Sequence, residues 1–188
     1  MSFTELDAKS ALLVVDLQKG GVAMPMAHPI GDVIANATTL IKAFRQHQLP
    51  VVLINVAGSP PGRTDQGSGA VHSLPDDWTD LIDELSRQPG DILVTKHTRS
   101  AFSGTGLAGT LREAGVTQVV ITGIATSVGV ESTARDAHED GFHVSLPLDA
   151  MTDPAPGPHE HSAAHIFPHI AETGTTAELL QLLASSRR

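Results

Sequence analysis

Short runs of apolar, mostly β-branched residues alternate along the chain with longer stretches whose apolar positions recur every three or four residues. Ala11-Leu-Leu-Val-Val-Asp16 is apolar up to its last residue, the pattern of a strand buried on both faces. From Val33 to Gln48 the residues Ile34, Ala37, Leu40, Ile41 and Phe44 fall at helical spacing. Pro50 to Val56 and Asp91 to Lys96 predict the second and third strands, and a helix from Leu107 to Ala114 stops at Gly115. Thr117 to Thr122 predicts the fourth strand. Thr126 or Ser127 is expected to cap a helix that carries the Glu131/Arg135 pair, runs to about Asp140 and ends at Gly141. Phe142 to Leu148 predicts a fifth strand. A helix near His161 to Phe167, a short sixth strand around Ala171 and a last helix opened by the capping box Thr175-Thr-Ala-Glu178 complete the pattern.

Strand–helix–strand units joined by short turns imply right-handed crossovers, hence an α/β fold with a doubly wound parallel sheet and helices on both faces. No repeat or linker divides the chain, so residues 1–188 read as a single domain. Gly58 to Gly69, rich in Gly and Pro, is the longest irregular stretch and a candidate flap beside the second strand.

Composition narrows the function. With 40% hydrophobic and 18% charged residues the chain reads as globular, and its apolar runs are too short to span a bilayer. The start lacks the basic and apolar regions of a secretory signal, which makes a cytoplasmic location the expectation. A formal charge of −9 with scattered cations disfavours nucleic acid and anionic membranes as partners, leaving a small-molecule substrate. The chain has no cysteine, which removes disulfides, thiolate metal sites and thiol nucleophiles together.

Ligands of open parallel sheets gather at the carboxyl ends of the strands. Three polar features fall there: Asp16, Lys96 and the Gly123–Gly129 turn. A carboxylate closing an apolar strand is costly unless partnered or functional. Asp16 and Lys96 can face each other as an ion pair; equally, Asp16 can cap a turn and Lys96 be solvated. The turn after the fourth strand feeds a helix whose unpaired N–H groups can hold an anion. Gly129, in the first helical turn, points either to close backbone approach or to tight helix–sheet packing.

Three separated segments carry a resemblance: Val14-Val-Asp16-Leu-Gln18, Lys96 with Ser100-Ala-Phe102, and Thr122-Gly-Ile-Ala-Thr-Ser-Val-Gly129-Val-Glu-Ser-Thr-Ala-Arg-Asp136. In order and spacing they resemble the isochorismatase-like hydrolase superfamily, which includes nicotinamidases, N-carbamoylsarcosine amidase and isochorismatases. The likeness runs from about Ser10 to about Leu183. It implies a six-stranded sheet of order 3-2-1-4-5-6, a homodimer or homotetramer, and no cofactor. In most members an Asp, a Lys and a Cys form the catalytic triad; Asp16 and Lys96 match the first two, and the cysteine position falls on Gly129. The isochorismatases proper are similar in carrying glycine there. In them the Asp protonates a vinyl-ether carbon, water attacks the oxocarbenium ion, and the Lys tunes the Asp. Carried over, Asp16 is the general acid, Lys96 its electrostatic partner and Gly129 the space that admits substrate. The resemblance further implies a cis peptide at Ile124–Ala125, with Gln18, Ala125 and Ser127 against the substrate. By position alone, Arg63 in the flap is assigned to carboxylate binding and Phe102 to an apolar wall.

The resulting expectation is a hydrolase working without a cysteine nucleophile on an enol-pyruvyl ether such as isochorismate. Two alternatives stand beside it: a catalytically silent binding or regulatory member of the superfamily, and an amidase using another nucleophile such as Ser127. No metal is expected. His159, His161, His165 and His169 are interrupted by Pro168 and read as solvated, and Asp65 lacks the Asp-x-His companion of metal-binding nicotinamidases. Gly104-Thr-Gly106-Leu-Ala-Gly109 copies a dinucleotide glycine pattern but starts well past the strand end.

Overall fold

The computed structural model describes residues 2–65, 67–68 and 75–185. Six strands, β1 (Ser10–Val15), β2 (Val51–Val56), β3 (Ile92–Lys96), β4 (Gln118–Ile124), β5 (His143–Pro147) and β6 (Glu172–Gly174), form one sheet. Their order is β3-β2-β1-β4-β5-β6, with every pairing parallel.

The order is the one implied by the resemblance, but the sheet has a seventh member. β5 pairs with only the first three residues of β4 before turning to β6, which leaves the far end of β4 with an open edge. The two residues Met151–Thr152 fill it, registered against Gly123 and Ile124. A strand this short has no periodicity to read.

The apolar character of β1 follows from its double burial. Ala11, Leu13 and Val15 join one core cluster with Leu107, Leu111, Ala134 and Ala137. Leu12 and Val14 point the other way, into a cluster with Leu40, Phe44, Leu179 and Leu183. The helices therefore divide between the faces. α1 (Lys19–Val22) is a single turn; α2 (Ile30–Gln46) and α6 (Thr176–Ser185) cover one face, and α3 (Leu107–Glu113) and α4 (Glu131–Glu139) the other. α5 (Pro156–His161) continues through further short turns to His169.

The capping box at α6 forms as its spacing predicts: Thr175 N–H donates to Glu178 Oε2 (2.7 Å) and Glu178 N–H to Thr175 Oγ1 (3.3 Å). The cap expected from Thr126 or Ser127 does not form. Residues Thr126–Val130 make a wide π turn in which Ala125 O accepts from both Val128 N and Val130 N (3.1 Å each). The Ser127 N–H is taken instead by Asp153 (2.8 Å), so α4 proper opens at Glu131. The Gly58–Gly69 segment contains a two-residue hairpin, Arg63–Thr64 against Gly67–Ser68; Gln66 and Gly69 lie outside the described residues. No described helix is long and apolar enough to cross a membrane.

Candidate active site

Three strand ends meet where the chemistry was expected. Asp16 follows β1 with φ 53°, a left-handed conformation that aspartate tolerates better than most side chains, and its N–H is held by Ile54 O (2.9 Å). Lys96, the last residue of β3, is only 2% exposed. Its ammonium spans the end of the intervening β2 to donate to Asp16 Oδ2 (2.8 Å), and also donates to Thr98 O (3.3 Å). The turn after β4 supplies the third side. Gly123 has φ 113°, and a Cβ there would lie 2.0 Å from Val15 O, so only glycine lets β4 approach β1 this closely. The next peptide bond, Ile124–Ala125, is cis.

The electrostatics are asymmetric. Burial pushes the Asp16 carboxyl up to about 6, against the Lys96 ammonium, which pulls it down. Oδ2 is occupied by Lys96, while Oδ1 is buried with no partner among the described residues. A buried polar atom left unpaired costs stability.

The acid lies on a cavity of about 390 Å³, at the small end of ligand pockets. Met24, Met26, Val56, Trp78, Ile124 and Val128 supply its apolar walls, and Gly129 and Ala125 line it beside Asp16. Gly129 is not a vacancy. A Cβ built on it would stand 3.0 Å from Ile124 O and Val15 Cγ1 and 3.1 Å from Asp16 Oδ2. The carboxyl group sits directly over the space that a side chain would take.

Other assigned residues have different places. The Gln18 side chain lines the cavity, but its amide is bound to backbone: Oε1 accepts from Val56 N (2.7 Å) and Nε2 donates to Val56 O and Trp78 O (3.1 Å each). It braces the walls. Ser127 gives both N–H and Oγ–H to Asp153 Oδ2 at 2.8 Å. Phe102 does not form an apolar wall; it is packed in the core against Phe142, ring centroids 5.9 Å apart, and is absent from the cavity lining. Arg63 stands exposed on the hairpin, also outside the lining. Its place at the cavity is taken by Arg99.

Sequence reasoning missed Arg99, Trp78, Met24, Met26 and Asp153. Trp78 could have been suspected as the chain's one tryptophan. It lies against Gly20, where a Cβ would come within 2.1 Å of the indole, and Lys19 pins the same segment through Asp77 and Asp80 (3.2 Å each).

His161, His165 and His169 are exposed, but His159 is half-buried, edge-to-face with His28 (4.7 Å between ring centroids) and hydrogen-bonded to Thr126 Oγ1 (2.9 Å). Burial and the neighbouring His28 push its pKa down. Among the described residues no three His, Asp or Glu side chains are grouped to hold a metal ion. A larger surface cleft of about 860 Å³, past His28, Asp149 and Glu178, includes neither Asp16 nor Lys96.

Comparison with known proteins adds chemistry to this geometry. The family model for the isochorismatase domain matches residues 10–178. The chain is 37% identical over 179 residues to the uncharacterized isochorismatase family protein YwoC of Bacillus subtilis (strain 168), covering 92% of this chain and 93% of that one. An isochorismatase family protein from Burkholderia thailandensis superposes with a TM-score of 0.91 at 36% identity, over 97% of this chain and all of the other. Ureidoacrylate amidohydrolase RutB of Pseudomonas syringae pv. syringae (strain B728a) is 34% identical over 165 residues, 72% of this chain and 66% of its own length.

Proposed function

The chain belongs to the isochorismatase family of hydrolases, and from that premise we propose that it hydrolyses an enol-pyruvyl (vinyl) ether, such as isochorismate, by general-acid catalysis from Asp16. The observation that carries this reading is an aspartic acid on the cavity wall, paired with Lys96 at 2.8 Å, whose pKa burial raises to about 6. An acid in this range keeps roughly a tenth of its molecules protonated at pH 7, far more than an ordinary aspartate, and can release that proton to a weakly basic carbon.

In the proposed reaction the Asp16 carboxyl carries the proton and delivers it to the terminal CH₂ of the enol ether. The ether oxygen then supports an oxocarbenium ion at the adjacent carbon. Water adds there and its released proton returns to the Asp16 carboxylate; the hemiketal then collapses, and the products are pyruvate and the free alcohol. Lys96 compensates the carboxylate that the transfer leaves behind. Gly129 lets the acid lie where a side chain would otherwise stand. The absence of cysteine from the whole chain supports a route with no thioester.

Pyruvate release from enol-pyruvyl ethers tests this reading. In deuterium oxide one solvent deuteron should enter the methyl group of the product, and Asp16→Asn should lose about 10²–10⁴ in rate. Failure to turn over any such ether, or full activity in Asp16→Asn, removes it.

The likeness to ureidoacrylate amidohydrolase supports a second reading, amide hydrolysis with Ser127 as nucleophile and Asp153 as the acceptor of its hydroxyl hydrogen bond. Ammonia release from amides and ureido compounds that survives Ser127→Ala would dispose of it.

A further inference from the structure

We propose that Arg99 binds a carboxylate on the substrate and so favours small carboxylates with an apolar body; this inference rests on the hydrolase reading of the same cavity. Four charged groups line that space: Asp16, Lys96, Arg99 and Asp153. Three are engaged. Lys96 is paired with Asp16, and Asp153 Oδ2 accepts twice from Ser127. Arg99 is exposed and makes no hydrogen bond or ion pair with any described residue.

Its backbone is held in place. Lys96 Nζ reaches Thr98 O, Thr98 Oγ1 donates to Ser100 O (3.0 Å), and Ser100 Oγ accepts from Phe102 N (3.1 Å). The turn presenting the guanidinium is therefore fixed to the general acid's own partner.

An arginine matches a carboxylate with two parallel hydrogen bonds. The unspent positive charge calls for one carboxylate at this point of the ligand. A phosphate would concentrate two negative charges at the single arginine, in a space already holding two carboxyl groups, within a chain of net charge −9. The remaining wall, Trp78, Met24, Met26 and Val128, suits an uncharged ring or short chain. An enol-pyruvyl ether meets both demands, since its carboxylate is attached to the carbon that bears the ether oxygen.

Trp78 is the only tryptophan and lines the cavity, so its fluorescence reports occupancy directly and without turnover. Wild type is titrated with cyclohexanecarboxylate, cyclohexanecarboxamide and cyclohexyl phosphate. The carboxylate should bind about tenfold more tightly than the amide. Arg99→Gln should abolish that preference while leaving amide affinity within about twofold. Equal affinity for acid and amide in wild type, an undiminished preference in Arg99→Gln, tighter binding of the phosphate, or no response to any probe up to its solubility overturns the proposal. The two readings fail separately: Asp16→Asn that keeps the preference but shows no turnover difference from wild type sinks the catalytic assignment and spares the anchor.

Discussion

Replacing Lys96 with methionine isolates the forces on Asp16. In the wild type, burial and the ammonium at 2.8 Å oppose each other, and burial wins, raising the carboxyl from 3.8 to about 6. Methionine keeps most of the apolar stem and deletes the charge. An opposite charge at this range lowers a carboxyl pKa by about 1–3, so its loss should carry Asp16 to about 7–9. The protonated fraction at pH 7 would rise from roughly a tenth to half or more. The measurement is a ¹³Cγ titration of aspartate-labelled protein, with Asp16→Asn identifying the resonance; asparagine accepts the left-handed backbone there.

Stability must follow with a defined sign. A carboxyl raised above its unfolded value contributes stability that is full below 3.8 and disappears as pH climbs through about 6. That difference is worth about 3 kcal/mol. In Lys96→Met the loss should extend to about pH 7–9. Urea unfolding across this range reads it. A wild-type Asp16 titrating at or below 4, or a Lys96→Met value that falls, refutes the account of the site.

Two further changes test the packing around the acid. Gly129→Ala places a methyl 3.0–3.1 Å from three neighbours, one of them Asp16 Oδ2, and should cost about 1–3 kcal/mol by overpacking; an unchanged melting temperature would contradict this. Gln18→Leu deprives Val56 N–H and the Val56 carbonyl of their Gln18 partners, at about 1–3 kcal/mol for each group left unmet, while the Trp78 carbonyl keeps Gly20 N–H. It should also shift Trp78 emission, and identical emission and stability would show that Gln18 braces nothing.

The elements legible in the sequence were those whose burial pattern is local. β1, β2 and β4 carry the unbroken apolar runs Ala11–Val15, Val51–Ile54 and Val119–Ile121 because helices cover both faces of the sheet, and α2 shows its buried stripe at Val33, Ala37, Leu40, Ile41 and Phe44. Asp16 and Lys96 stood out because each ends such a run with a charge. The rest of the cavity comes from connections whose course is set by tertiary contacts. Trp78 arrives because Lys19 N and Gly20 N bind Asp80 O and Trp78 O, and Met24 and Met26 follow a one-turn helix without a readable period. Phe102 and Arg63 were placed by distance along the chain. The aromatic ring instead joins Phe142 in the core, where burying it gains more than lining a wet pocket, and the hairpin carries Arg63 outward. The cap at Ser127 failed because Asp153, far along the chain, competes for its N–H.

Two carboxyl groups line one cavity, and hydrogen bonding gives them different work. Asp153 Oδ2 takes two donors from Ser127, while the Asp153 backbone carbonyl accepts from Ala27 N (2.8 Å), so this residue ties the turn after β4 to the chain entering α2. Asp16 differs because Lys96 reaches only Oδ2 and turns another donor to Thr98 O. Its one-sided approach leaves Oδ1 without a partner among the described residues. The carbonyl that enforces that approach belongs to the turn presenting Arg99. Proton donor and anion anchor are thus set by one short piece of backbone at the end of β3, and moving that turn would disturb both together.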